Sequence, residues 1–196
     1  MSPYAMPEWG AFLAAVATSP DDDLPRLVAA DWLEESGDTE RAEFIRLQCE
    51  LANASDHDRA EVLRRREREL LNSPTGAWLW AIEACPGIVD TEFDAMAPAL
   101  RSFSIHNANR VKFRRGFPAS VSCTAREWRD YGAGVVPRQP VHSLTLTQCD
   151  DLSIENWWPM LRTLRMMRSI FVDSRWGQLP KWLAERLPQV DVTPSR

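Results

Sequence analysis

Apolar positions in the first half of the chain recur with a helical period. Trp9, Phe12, Leu13 and Val16 share one face of a helix over Pro7–Thr18. Ser19-Pro20-Asp21-Asp22-Asp23 interrupts the pattern; Asp22 or Asp23 is placed as the N-cap of a second helix, with Pro25 in its first turn, where no donor is needed. That helix should run to about Ser36, burying Leu27, Val28, Ala30, Leu33 and Trp32, and Gly37 suits the left-handed cap after it. Asp38 or Thr39 then caps a third helix through Arg41, Phe44, Ile45, Leu47, Gln48 and Leu51. So short a turn makes the two helices an antiparallel hairpin. A fourth helix, about 58–71, mixes Arg64, Arg65, Arg66 and Arg68 with Glu61, Glu67 and Glu69, and Glu61 and Arg65 are spaced to pair at i,i+4. Ser73-Pro74 breaks it, and Trp78, Leu79, Trp80 and Ile82 begin another short apolar helix.

The second half changes period. Leu100–Ile105 alternates as a strand, Asn107-Ala108-Asn109 is a turn signal, and Val111–Arg114 alternates again, which predicts a hairpin. Val141, Leu144, Leu146 and Cys149 then fit the leucine-rich-repeat frame L-x-x-L-x-L-x-x-N/C. The frame recurs at Leu161, Leu164 and Met166, with Ser169 in the closing slot, and at Leu187, Val190 and Val192, with Ser195 there. A degenerate copy precedes them at Pro118, Val121 and Cys123. The middle positions 121, 144, 164 and 190 are 23, 20 and 26 residues apart, inside the window of about 20–29 for such repeats. Helices are expected between them: one capped by Thr124, carrying Trp128 and Tyr131 and ended by Gly132 and Gly134; a brief one over 151–158, halted at Pro159; and a clearer one over 176–187 with Leu179, Trp182 and Leu183. Strand, helix and parallel strand in succession is the unit of a solenoid. The fold class expected is therefore α+β to α/β, with helical hairpins at 1–98 and a short leucine-rich-repeat-like region with parallel strands at 99–196.

Composition adds a charge division. The chain carries a net −5, but residues 1–98 hold 8 Lys and Arg against 20 Asp and Glu, while residues 99–196 hold 15 against 8. Such asymmetry fits an anionic partner or two halves that attract each other. No apolar run approaches the roughly 20 residues of a membrane span. The first residues lack a basic region before an apolar stretch, so a secretory signal is not expected and a cytoplasmic location is. Cys49, Cys85, Cys123 and Cys149 are widely separated and read as buried reduced thiols rather than a zinc ribbon.

The stretch Pro25-Arg26-Leu27-Val28-Ala29-Ala30-Asp31-Trp32-Leu33-Glu34-Glu35-Ser36-Gly37-Asp38, continued by Arg41-Ala42-Glu43-Phe44-Ile45-Arg46-Leu47-Gln48, closely resembles the signature of the bacterial repeat-companion domain family. One slot departs: the family usually has tyrosine where this chain has Ala29. Arg114-Arg115-Gly116-Phe117 resembles the R-G-F turn that often follows in such proteins. The resemblance implies a small helical module joined to leucine-rich repeats, and it implies no catalytic activity.

Candidate sites follow from these elements. Arg26, Asp31, Trp32, Glu35, Gly37, Arg41, Phe44 and Arg46 are expected to fix the helical hairpin, Asp31 pairing with Arg26, Arg41 or Arg46. Outward strand positions Ser122, Thr145, Arg165 and Asp191, flanked by Ser143, Thr147, Thr163, Met167, Gln189 and Thr193, form the expected binding row. Arg110, Lys112, Arg114, Arg115, Arg162 and Arg168 are candidate anion contacts, with Arg165 and Arg175 nearby in sequence. No nucleotide-binding, zinc-protease or nucleophile-elbow motif is present, and neither a cofactor nor a metal is expected. Three functions compete. A non-enzymatic adaptor that binds protein ranks first, nucleic-acid association through the basic half second, and a hydrolase using Asp31, Glu34, Glu35 and Glu43 last. The last frame ends near the final residue with no capping repeat, so a protein partner or a second copy is expected to cover that end.

Overall fold

The computed structural model describes residues 3–71, 111–135, 140–149, 152–173 and 177–194. The chain divides into two compact units, one of residues 1–90 and 113–117, the other of residues 91–112 and 118–196. The predicted helix beginning at Trp78, the strand at 100–105 and the positions of Cys85, Arg110 and Arg175 lie outside the described residues.

The helical unit contains α1 (Pro7–Thr18), α2 (Leu24–Glu35), α3 (Thr39–Asn53) and α4 (His57–Leu71), preceded by a 3₁₀ turn at Pro3–Ala5. Trp9, Leu13 and Val16 are buried on α1, as their spacing requires. The N-cap of α3 is Asp38, whose carboxylate accepts from the Arg41 amide at 3.3 Å. Gly37 before it takes φ +91°, a conformation that only glycine adopts without strain.

The buried face of α2 differs from expectation. Leu27 and Val28 are exposed, and the stripe is Arg26, Ala29, Ala30 and Leu33. This is still an i, i+3, i+4, i+7 stripe, rotated so that a charged residue points inward. Arg26 can do so because its guanidinium donates to the carbonyls of Ser19 at 3.2 Å, Pro20 at 2.9 Å and Asp22. It closes the α1–α2 loop from inside. Asp23, at the N-cap position, makes no capping bond; Asp22 accepts from Leu24 N instead, at 3.0 Å. On α4, Glu61 pairs with Arg64 and Arg68 rather than Arg65.

The sheet runs β1 (Val111–Arg114), β2 (Phe117–Thr124), β3 (Ser143–Thr147), β4 (Ser169–Val172) and β5 (Asp191–Pro194) in sequential order. The partner of β1 is β2, through Arg115 and Gly116, which take φ +51° and +85°. Two positive φ values make this a type I′ turn, the geometry that matches strand twist. Strands β2 to β5 are parallel, and one helix follows each of the first three: α5 (Ala125–Val135), α6 (Ile154–Leu164) and α7 (Leu179–Arg186). Register aligns Val121, Leu144, Ile170 and Val192, at spacings of 23, 26 and 22 residues.

Two expected frames are misplaced. Leu161 and Leu164 belong to α6, which continues through Pro159 rather than stopping there. An interior proline costs roughly 3 kcal/mol. Burial of Trp157, Met160, Leu161 and Leu164 on that one helix outweighs it. The strand lies six residues later, with Met167, Ile170 and Val172 in the three apolar slots. The last frame slips by two residues, because Val192 rather than Val190 stands opposite Ile170. Thr124 does cap α5: its hydroxyl accepts from Glu127 N at 3.1 Å, and the Glu127 carboxylate accepts from Thr124 N at 2.7 Å. Gly132 does not end that helix. It leaves room for the Trp128 ring, which a Cβ there would meet at 2.7 Å.

Candidate functional site

In the helical unit the charged motif residues are engaged in structure. Arg46 bridges Asp31 and Glu34, each at 2.6 Å, so Asp31 pairs with Arg46 and not with Arg26 or Arg41. Trp32 stacks on Trp9 at 6.2 Å and tilts against Phe12 at 5.5 Å. Arg41 is fully buried, its guanidinium over the rings of Phe44, Phe113 and Phe117 at 5.3–5.9 Å. Burial lowers its pKa to about 10, against the opposing pull of Tyr4 and Asp38. The Tyr4 hydroxyl donates to Asp38, and burial holds that phenol above its ordinary range. Glu35 is exposed.

The R-G-F turn belongs to this same unit. Arg115 pairs with Asp23, Arg114 pairs with Asp21, and Gly116 N donates to Gln48 Oε1 at 2.7 Å. A Cβ on Gly116 would lie 2.6 Å from the Ile45 Cα, so only glycine fits. Phe117 lies under Arg41 and stacks on Trp9 at 6.0 Å. Burial raises the Asp23 pKa, but hydrogen bonds from Arg115 and Asn53 outweigh that and leave it lowered. Burial pushes the Cys49 thiol up to about 12, which makes it a poor nucleophile.

A groove of about 520 Å³ lies among α2, α3 and α4, with Leu47, Val62 and Leu63 between charged walls. Its arginines are engaged there too: Arg46 as above, Arg59 with Glu50 at 2.6 Å, and Arg66 with Glu43 at 2.7 Å. The hydrogen bond from Arg66 lowers the Glu43 pKa. Of the four carboxylates considered for hydrolysis, Asp31 and Glu34 meet on Arg46, Glu43 is held by Arg66, and Glu35 faces solvent. Among the described residues no three His, Cys, Asp or Glu side chains form a metal position.

The strand–helix unit is arranged differently. One face of its sheet carries Val121, Cys123, Leu144, Leu146, Ile170 and Val172, packed with Trp128, Trp157, Leu164, Leu179 and Leu183 from the helices. Alternation sends the residues between them to the other face. There Ser120, Ser143, Ser169 and Asp191 form one row across the strands, and Ser122, Thr145, Phe171 and Thr193 the next. Thr124 and Thr147 begin a third row. Asp173 continues it, since its amide donates to the Leu146 carbonyl at 2.8 Å and extends the ladder past β4. All of these side chains are half-buried or exposed.

Of the predicted row, Ser122 and Thr145 stand where expected. Asp191 sits one row away, beside Ser169. Arg165 caps the end of α6, and Met167 is buried in the core, because the frame that placed them belongs to a helix. Phe171 was missed. The β-branched pair Ile170 and Val172 around it marked a strand better than Leu164 and Met166 did. Among the candidate anion contacts, Arg114 and Arg115 are engaged by aspartates, while Lys112, Arg162 and Arg168 are exposed on separate segments. Comparison of the chain with family models, with curated proteins and with solved structures finds no match.

Proposed function

We propose that this protein is a non-enzymatic adaptor of the bacterial cytoplasm, a repeat-companion helical module followed by a short leucine-rich-repeat-like region that binds a protein partner. The observation that carries this reading is the polar sheet face around Phe171. Seven serine and threonine hydroxyls and one aromatic ring stand in register on the sheet face opposite the helices of the unit, Thr124 at its end being used to cap α5. The register spacings of 23, 26 and 22 residues support the repeat assignment. Cys149 supports it too, buried in the closing slot with its thiol donating to the Leu146 carbonyl at 3.5 Å. No helix among the described residues is long and apolar enough to cross a membrane.

Nucleic-acid association has less support, since Arg114 and Arg115 are held by Asp21 and Asp23. Affinity purification from the native host, with nuclease treatment and with a Thr145→Arg variant, separates the two. The adaptor reading expects a co-purifying protein that survives nuclease and is lost in Thr145→Arg. A nuclease-sensitive association unaffected by that substitution overturns it.

A further inference from the structure

Phe171 is the centre of a grid. On β3 its neighbours are Ser143, Thr145 and Thr147; along its own strand, Ser169 and Asp173; on β5, Asp191 and Thr193. Every one is a hydroxyl or a carboxylate. An aromatic side chain 38% exposed at the middle of a strand, ringed by polar groups, has the anatomy of an interface anchor.

The charge of the ring is one-sided. Residues 99–196 hold 15 basic side chains and 8 acidic ones, yet the grid carries two of the acids and none of the described bases. Asp173 follows Phe171 by two positions, about 7 Å along a strand, and Asp191 stands diagonally across on β5. The two carboxylates flank the ring on opposite sides, so a cation resting on it would sit in the field of both, with hydroxyl oxygens beside it as further acceptors.

We propose, resting on the adaptor reading, that the grid takes an arginine or lysine side chain of the protein partner, seated on Phe171 between Asp173 and Asp191. The partner segment is therefore basic. This agrees with the face it docks against and contrasts with the rest of a basic half.

The probe is acetyl-Arg-Gly-Arg-amide titrated into the ¹⁵N-labelled full chain, with acetyl-Glu-Gly-Glu-amide as the counterpart. Shifts should concentrate at residues 143–147, 169–173 and 191–193 for the basic peptide alone. Asp173→Asn with Asp191→Asn should weaken binding about fivefold, and Phe171→Ser about threefold. All three positions are exposed, so thermal unfolding should confirm that both variants fold like the parent. Equal binding of the acidic peptide, or shifts confined to the acidic helices and unchanged in the double variant, overturns the assignment. Partner capture distinguishes the two readings. Capture lost in Thr145→Arg but unchanged in the double asparagine variant overturns the cation site and leaves the adaptor. Capture unchanged in both overturns the adaptor reading, and the cation site with it.

Discussion

The two units treat polar residues in opposite ways. In the helical unit the arginines of the hairpin are drawn inward or tied down: Arg26 onto three loop carbonyls, Arg41 among three phenylalanine rings, Arg46 onto two carboxylates. In the strand–helix unit the polar residues of the sheet are set out in rows, with few bonds among them. Ser169 donates to Ser143 at 3.0 Å, Thr147 to the Cys123 carbonyl at 3.3 Å and Thr193 to Asp191 at 3.4 Å. A charged motif can thus be dense and still be architecture, while a bland run of serine and threonine can be the recognition surface. What separates them is burial: Arg26 and Arg41 are enclosed by the core of their unit, whereas the sheet residues stand half-buried or exposed.

The contrast can be broken most forcefully at Gly116. Its positive φ and the 2.6 Å approach to Ile45 leave no room for a side chain, so Gly116→Ala should cost roughly 2–5 kcal/mol, read as a fall in the urea midpoint. An effect below 0.5 kcal/mol would mean that the turn does not close the helical unit. Arg26→Ala follows at about 2–3 kcal/mol, because three carbonyls lose a charged donor. If Arg26 were a binding residue instead, stability would hold and partner capture would fail.

Acid should act on the same unit more weakly. Asp23 and Glu43 are depressed by their arginine partners, so each is ionised further down the pH scale in the folded chain than in the unfolded one. Their contribution is fully present above the ordinary carboxylate range near pH 4 and is lost as pH falls through the lower folded values. Urea midpoints between pH 6 and pH 3 should decline, and Glu43→Gln should flatten that decline. A decline of unchanged slope in Glu43→Gln would separate the Arg66 pair from acid sensitivity.

Much of the helical unit was legible because caps and periodicity agree there: Asp38, Gly37 and the α1 stripe fall where local rules place them. The α2 face was misread because hydropathy cannot foresee that three loop carbonyls will accept a buried Arg26. In the second unit the strands around Val121 and Leu144 are legible from their alternation, and parallel pairing sets those two residues opposite each other. The third failed because Leu161–Met166 satisfies the same short pattern as Met167–Val172, and only helix packing around Pro159 decides between them. That single slip removed Phe171 from the row and put Arg165 and Met167 in its place.

The most direct test of the central claim is Phe171→Ser, followed by paired readings of stability and of partner capture. As a partly exposed anchor, Phe171 should cost no more than about 1–2 kcal/mol when replaced, the share of ring burial it has on the sheet, while capture falls. A destabilisation of several kcal/mol, or full capture with the ring gone, would contradict the assignment of this face to recognition.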